Sequence, residues 1–161
     1  MYAVGVDLGG TKTAAGVVSA DGEVLFSETI PTLNQSGGEA ILDATAGLIA
    51  GLREKAGDAG ISVGCVGVGS AGVIDAGRGT VVSATDAIYG WAGTALTAGL
   101  ATRLGLPASS VRAVNDVHAH ALGEAWAGAA AGSASSLLVA FGTGVGGSFV
   151  VDGIPVLGHR Y

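Results

Sequence analysis

Residues 2–13 carry the strongest structural signal in the sequence and read Tyr2-Ala3-Val4-Gly5-Val6-Asp7-Leu8-Gly9-Gly10-Thr11-Lys12-Thr13. Its apolar first half predicts a β-strand that delivers one carboxylate, Asp7, to a turn made of two glycines. No side chain crowds Gly9 or Gly10, so the backbone N–H groups there can close on an anion such as phosphate. Asp7 would repel a bare phosphate, but it suits a hydrated Mg²⁺ that accompanies one. The alternative is a tight hairpin with an exposed acid.

The same pattern returns near the other end of the sequence. Residues 137–141 form a second apolar run, 142–147 a second glycine-rich turn, and 148–151 a second return strand. The return strands end in Asp21-Gly22 and Asp152-Gly153, and Asp-Gly between β-rich runs is a strong hairpin signal. Two such units facing each other would place two phosphate loops on either side of one cleft.

Composition and charge limit the class of protein. The 161 residues are 49% hydrophobic and 12% charged, with 30 glycines, which is typical of a globular chain with short buried strands. A net charge of −6 argues against a nucleic-acid partner. The single cysteine, Cys65, excludes an internal disulfide and a multi-cysteine zinc site, and it fits a reducing compartment. Glycines interrupt each apolar run below membrane-spanning length, so we expect a cytoplasmic protein with no membrane partner.

The order of the predicted elements is that of an α/β domain. Strands are predicted at about 2–8, 12–19 and 23–30, and these form an antiparallel meander. The later elements are a helix from a capping box at 36–39 to about 57–60, a strand at 62–68, a short strand at 81–82, a helix that ends at Gly105, a strand at 111–114, and a helix to about Gly128. This order predicts a mixed sheet whose first three strands are antiparallel.

The last third of the chain is unusually apolar. Its charged residues after Ala113 are Asp116, Glu124, Asp152 and Arg160. Such a segment needs cover on all sides, so we expect it to open a second lobe and the chain to be part of a longer polypeptide. We therefore predict a lobe at 1–114, followed at 115–161 by a hinge helix and the start of a truncated second lobe.

Two common nucleotide-binding motifs are rejected. G-x-G-x-x-G occurs at 67–72 and at 142–147, but a dinucleotide fold needs a helix straight after the glycines, and strand or turn residues follow both. Lys12-Thr13 is similar to a P-loop ending, but Thr11 stands where that motif requires glycine.

Asp116 lies between a predicted strand and a predicted helix. The simplest role for such an aspartate is an N-cap, which contributes about 1 kcal/mol to a helix. The functional alternative is a general base at the carboxyl edge of the sheet, where open α/β folds bind ligands, with Asn115 orienting a hydroxyl. His118 and His120 are two residues apart on the helix and do not face one site, so we expect surface or interface positions for both.

Three motifs follow one another over nearly the whole chain. They are Val-Asp-Leu-Gly-Gly-Thr-Lys-Thr at 6–13, Asn-Asp at 115–116 with Ala-Leu-Gly-Glu at 121–124, and Gly-Thr-Gly-Val-Gly-Gly at 142–147 with the following Asp-Gly. Together they resemble the ROK family of sugar kinases and sugar-responsive repressors, within the hexokinase–actin–Hsp70 ATPase superfamily. The resemblance implies two ribonuclease-H-like lobes with nucleotide and sugar between them. This chain would supply one α/β lobe with a mixed sheet and the first hairpin of the second lobe.

The resemblance also implies two phosphate loops and a sugar site. The first loop would be Asp7, Gly9, Gly10, Thr11 and Lys12, with Asp7 serving Mg²⁺ through water, and the second would be Gly142, Thr143 and Gly144 around the β- and γ-phosphates of ATP. For glucose or an N-acetylhexosamine, Asn115 would bind the sugar, Asp116 would bind it and take the proton from the attacking hydroxyl, and Gly72 and Thr85 would edge the pocket. Phosphoryl transfer needs mainly positioning, charge neutralisation and an oriented nucleophile, which these groups supply.

The sequence also departs from the family pattern. The Glu-x-Gly-His sugar motif is missing, because Val156 stands where its glutamate would precede His159. The Cys-rich zinc motif and the adenosine-binding segment are missing too. We therefore expect these 161 residues alone to bind sugar and nucleotide weakly, without turnover. A homodimer is a further expectation.

Two alternatives to the kinase stay open, a sugar-responsive transcriptional regulator of the same family and a non-catalytic actin-like scaffold. Such regulators usually carry a DNA-binding segment ahead of the phosphate loop. The first strand here begins at Tyr2, which favours the kinase, and so does Asp116.

Overall fold

The computed structural model describes residues 1–141 and 145–158. Its elements in chain order are β1 (Tyr2–Leu8), β2 (Lys12–Ser19), β3 (Val24–Pro31), α1 (Gly38–Asp58), β4 (Val66–Ser70), β5 (Val73–Asp75), β6 (Thr80–Ser83), α2 (Leu96–Leu104), β7 (Val111–Asn115), α3 (Asp116–Ala127), β8 (Ser135–Phe141), β9 (Val145–Val151) and β10 (Ile154–Pro155). A short 3₁₀ turn, Ala108–Ser110, leads into β7.

Five strands form the central sheet in the order β3-β2-β1-β4-β7. β1, β2 and β3 are antiparallel, as predicted, whereas β4 and β7 run parallel to β1. The three parallel strands end at one edge, where Asp7 is level with Gly69 and Ser70 is level with Asn115. Because open α/β sheets bind ligands at this carboxyl edge, the topology itself identifies where a site is to be expected.

Helices cover the two faces of this sheet differently. α1 and α2 contact each other and the sheet strands, and α1 buries a stripe that includes Ile41, Leu48 and Leu52. Each such side chain contributes about 2 kcal/mol relative to remaining exposed. α3 contacts β4 and β7 and also β8 and β9. It crosses the sheet closely at Gly69, since a Cβ built there would lie 2.8 Å from the Cβ of Ala119.

The second glycine hairpin belongs to a separate sheet of three antiparallel strands, β10-β9-β8. The strand predicted at 137–141 lies within β8, and the return strand predicted at 148–151 lies within β9, which begins already at Val145, so the last three residues of the turn predicted at 142–147 are strand. The Asp152-Gly153 turn that follows has positive φ at both residues, as a type I′ turn requires. The registers of the two hairpins differ by one residue, because Leu8 pairs with Thr13 whereas Phe141 pairs with Val145. The assignment of this hairpin to a second lobe, with a boundary at residue 114, stays a prediction.

Two local predictions are wrong. The capping box does not form, because α1 begins after Gly37, which has a φ of 84° and no side-chain cap, while Glu39 pairs with Arg103 instead. The strand predicted at 62–68 is β4, which begins four residues later and extends to Ser70, since its parallel neighbours continue to pair with it there.

Candidate active site

The first glycine turn is held by side chains that follow β3. The Thr32 hydroxyl donates to the carbonyl of Gly9 at 2.8 Å, and the Asn34 side-chain amide donates to the carbonyl of Gly10 at 2.9 Å. Carbonyls bound in this way point into the protein. Within residues 1–141 and 145–158, the backbone N–H groups of Gly10 and Thr11 donate to no protein acceptor. The turn therefore presents amide hydrogens rather than carbonyl oxygens to an anion.

Thr32 and Asn34 were missed in the sequence, although a signal for them existed. β2 and β3 are antiparallel and Lys12 pairs with Pro31, so the residues after β3 must lie beside the turn that precedes β2. Thr32 is buried, and its hydroxyl also lies 2.9 Å from the hydroxyl of Thr13. Three strands thus determine the shape of the turn.

Asp7 and Asp116 line one cavity of about 490 Å³. Asp7 is at the end of β1, and Asp116 is the first residue of α3, directly after β7. Ala140 of β8 lines the same cavity, and it is the sixth residue of its strand as Asp7 is of β1. The described residues of the second hairpin therefore reach the cavity of the first. The predicted phosphate-binding residues Gly142, Thr143 and Gly144 lie outside the described residues.

The Asp7 carboxyl is electrostatically perturbed, although part of its side chain remains exposed. Its pKa is raised above the ordinary value, first by the loss of water around it and next by the negative charge of Asp116, while Lys12 and His120 act to lower it. The two carboxylates repel each other across this cavity, and a cation bound near them would reduce that repulsion.

These residues fit a magnesium ion that is held together with a nucleotide. Mg²⁺ takes oxygen ligands and typically uses one or two protein carboxylates, with water and phosphate oxygens completing its shell. Within the described part of the chain, no group of three or more His, Cys, Asp or Glu residues could hold a metal ion. Asp7, with support from water and phosphate, matches the type of site that Mg²⁺ prefers.

Asn115 connects α3 to the loop after β4. Its side-chain oxygen accepts the Val117 N–H at 3.0 Å and makes Asn115 the N-cap of α3, and its Nδ2 donates to the carbonyl of Gly72 at 2.9 Å. The N-cap interpretation of Asp116 is therefore wrong, since Asp116 is the first helical residue, although one of its oxygens also lies 2.9 Å from the Val117 amide nitrogen. Capping is thus supplied without Asp116.

A second cavity, of about 270 Å³, lies beside the first. Gly72 and Asn115 both line it, together with His118, Leu157 and residues 73–77. Gly72 has a φ of 101°, and a Cβ built there would lie 2.7 Å from the Ser83 carbonyl oxygen, so the wall of the cavity requires glycine at this point.

The structure does not bring Thr85 to either of these cavities. Thr85 is exposed, and its carbonyl accepts the Ile88 N–H at the end of a short turn. This turn lies against the first glycine loop instead, since a Cβ built on Gly10 would be 3.4 Å from that of Ala87.

The two histidines of α3 line different cavities, so the prediction that they do not share a site is confirmed. His120 is exposed, lies 3.7 Å from Glu124 and faces the cavity of Asp7. His118 is half-buried, and its Nδ1 lies 2.8 Å from the Ser148 hydroxyl. His120 thus has the predicted surface position, whereas His118 lies where α3 contacts β9, which fits the interface alternative of the same prediction.

The ROK family model matches residues 3–160. The chain belongs to the ROK family. A glucokinase from Streptomyces coelicolor is 36% identical over 156 residues, which cover 97% of this chain and 45% of that protein. An N-acetyl-D-glucosamine kinase from Salmonella paratyphi A is 34% identical, over 98% of this chain and 48% of its own length. The expected family is confirmed.

The fold class is confirmed by solved structures. A ROK family glucokinase from Streptomyces griseus, in complex with glucose and AMPPNP, has a TM-score of 0.85 to this ROK chain at 36% identity, covering 99% of this chain and 47% of that one. The chain thus spans about half the length of the relatives it matches. None of the described helices is both long and apolar enough to span a bilayer.

Proposed function

We propose that this ROK chain is the N-terminal part of an ATP-dependent sugar kinase that phosphorylates a hydroxyl of glucose or of an N-acetylhexosamine. The observation that carries the proposal is the shared cavity of Asp7 and Asp116 at the carboxyl edge of the parallel strands. Proteins of both sugar specificities are similar to this chain over nearly all of its length.

The first glycine turn serves the phosphates of ATP. The N–H groups of Gly10 and Thr11 supply donors, and the exposed Lys12 supplies a positive charge beside them. Mg²⁺, when bound with the nucleotide at Asp7, neutralises charge on the phosphate oxygens. Gly142, Thr143 and Gly144 complete the phosphate site in this proposal.

The sugar lies in the cavity of Asn115 and Gly72, next to Asp116. One hydrogen of the Asn115 amide bonds Gly72, so the other can donate to a sugar oxygen. As the attacking hydroxyl oxygen bonds to the γ-phosphorus and ADP leaves, its proton passes to the Asp116 carboxylate. Asp116 is half-buried at the start of a helix, which holds it in one orientation.

Further properties of the whole protein remain predictions. Turnover is expected to need more chain than these 161 residues, because the relatives are about twice as long. A cytoplasmic location, a homodimer, and the absence of a zinc site from this part of the protein are predictions of the same kind.

The test is Asp116→Asn in the longest reading frame that contains this chain. We expect kcat to fall by about 10²-fold or more, since a general base contributes at least that much. Sugar affinity should stay within about tenfold, or roughly 1.4 kcal/mol, because the amide keeps the shape of the carboxylate.

Asp58→Asn, at an exposed carboxylate on the last turn of α1, is the matched control and should leave kcat unchanged. A coupled assay of sugar-dependent ATP consumption measures kcat in both variants. Survival of kcat in Asp116→Asn would show that Asp116 has only a structural role.

A further inference from the structure

His118 and Ser148 form a contact between α3 and β9 that the phosphoryl-transfer scheme leaves unused. His118 is three residues after Asn115, so both lie on one face of the helix, and both line the same cavity. Ser148 is only 2% exposed, and its hydroxyl lies 2.8 Å from His118 Nδ1.

The serine determines how the imidazole ring is held. A buried hydroxyl without a partner costs stability, so the bond to Nδ1 is expected to persist. Nδ1 is thereby engaged, and Nε2 is left as the ring nitrogen that can contact a ligand. Within the described ranges, Nε2 of His118 has no protein partner.

The other polar side chains of this cavity are largely occupied. Asn115 uses its oxygen on Val117 and one amide hydrogen on Gly72. Asp75 uses its Oδ1 to accept the N–H groups of Gly77 and Arg78, in the turn after β5. The remaining side chains of the wall are apolar, including Val73, Ile74, Val114 and Leu157. Among the described residues of the wall, His118 Nε2 is therefore a side-chain nitrogen with no protein partner, beside the one amide hydrogen that Asn115 keeps for the sugar.

We propose that His118 contacts the sugar through Nε2, as a hydrogen-bond partner of one ring hydroxyl, and that Ser148 is a positioning residue that sets the orientation of the imidazole. The proposal rests on the proposed function only in taking the ligand of this cavity to be a pyranose. A purely structural link between α3 and β9 would leave the preference among sugar hydroxyls unchanged.

The experiment measures sugar binding directly, by calorimetry on the longest reading frame that contains this chain. His118→Phe keeps a planar ring without nitrogen, and should weaken glucose or N-acetylglucosamine binding about threefold to tenfold while leaving nucleotide affinity unchanged. His118→Gln places an amide near the former Nε2 and should restore part of the loss. Ser148→Ala should weaken sugar binding less, and should add little in the background of His118→Phe, because the two residues act as one unit.

A series of monodeoxy sugars identifies the contact. In the unchanged protein, the analogue that lacks the contacted hydroxyl should bind about threefold to tenfold more weakly than the parent sugar. In His118→Phe, that analogue and its parent should bind equally. If every deoxy analogue keeps its relative affinity in His118→Phe, or if nucleotide affinity falls together with sugar affinity, His118 is only a structural link.

The design separates this inference from the kinase assignment. Sugar binding that depends on His118, without sugar-dependent ATP consumption, supports the contact and overturns the kinase. Normal consumption with an unchanged deoxy pattern supports the kinase and overturns the contact. Should His118→Phe not fold, the deoxy series in His118→Gln and Ser148→Ala gives the same decision.

Discussion

The two glycine hairpins have the same local pattern and opposite burial. Their third, fifth and seventh strand residues are Val4, Val6 and Leu8 in β1, and Leu137, Val139 and Phe141 in β8. The first set is at most 5% exposed, whereas the second is at least 46% exposed. The alternation of apolar residues thus shows which face of a strand needs to be buried, but the elements that bury it come from elsewhere in the chain.

The source of the cover explains the difference. α1 contacts β1, β2 and β3 and covers the apolar face of the first hairpin, while α2 packs against α1 and β7. For β8 and β9, the described residues include α3 on one side, and the opposite apolar face stays open. Most of the folding free energy of this chain is therefore expected in the first hairpin and its helices, since buried apolar area is the dominant favourable term.

The difference in burial between the two hairpins is tested most directly by the same substitution made in each of them. Leu8→Ala removes a fully buried side chain and should lower the free energy of unfolding by about 3 kcal/mol. Leu137→Ala, at a residue that is 66% exposed, should change it by less than about 0.5 kcal/mol. Urea unfolding curves measure both. Equal losses would mean that the open face of β8 is covered in solution.

A smaller effect is expected from the side chains that hold the first turn. Thr32→Val removes the donor to the Gly9 carbonyl and leaves the buried Thr13 hydroxyl without its partner, so we expect a loss of about 1–3 kcal/mol. Thr29→Val, on the exposed face of β3, is the matched control and should be nearly neutral. A neutral Thr32→Val would show that backbone pairing alone shapes the turn.

The smallest effect concerns Asp7, whose counterpart in the second hairpin is Ala140. Because the folded state raises the pKa of Asp7, the unfolded state ionises first, and stability falls as the pH rises from the ordinary aspartate value through the raised one. Asp7→Asn should therefore raise Tm near neutral pH, by an amount equivalent to less than about 1 kcal/mol because the side chain is exposed.

That gain should disappear in acid, below the ordinary aspartate pKa, where both states are protonated. Thermal unfolding from pH 3 to 8 measures it, with Asp58→Asn as the exposed comparison. A gain that persists unchanged at the acidic end would show that the carboxylate charge is not its cause. Nucleotide-dependent activity should fall in the same variant, since we propose that this carboxylate serves the metal.

The failures of sequence reasoning share one cause. The capping box at 36–39 satisfied a local pattern, but Glu39 found a partner on α2 in Arg103. Thr32 and Asn34 belong to no motif, and their role in holding the first glycine turn follows only from the pairing of β2 with β3. A motif indicates which contacts residues close in sequence can form. A contact with a residue of another element can form in place of them.

The two hairpins, the apolar stripe of α1, the Asn115-Asp116 junction and the family could all be predicted from the sequence, because turn chemistry, periodicity and motif order depend on residues that are close along the chain. The cavity that Asp7 shares with Asp116, and the contact of His118 with a serine 30 residues away, are visible in the folded chain alone. Those contacts depend on which strands pair and on where a helix crosses them. Strand pairing and helix placement in turn depend on many side chains that are far apart in the sequence.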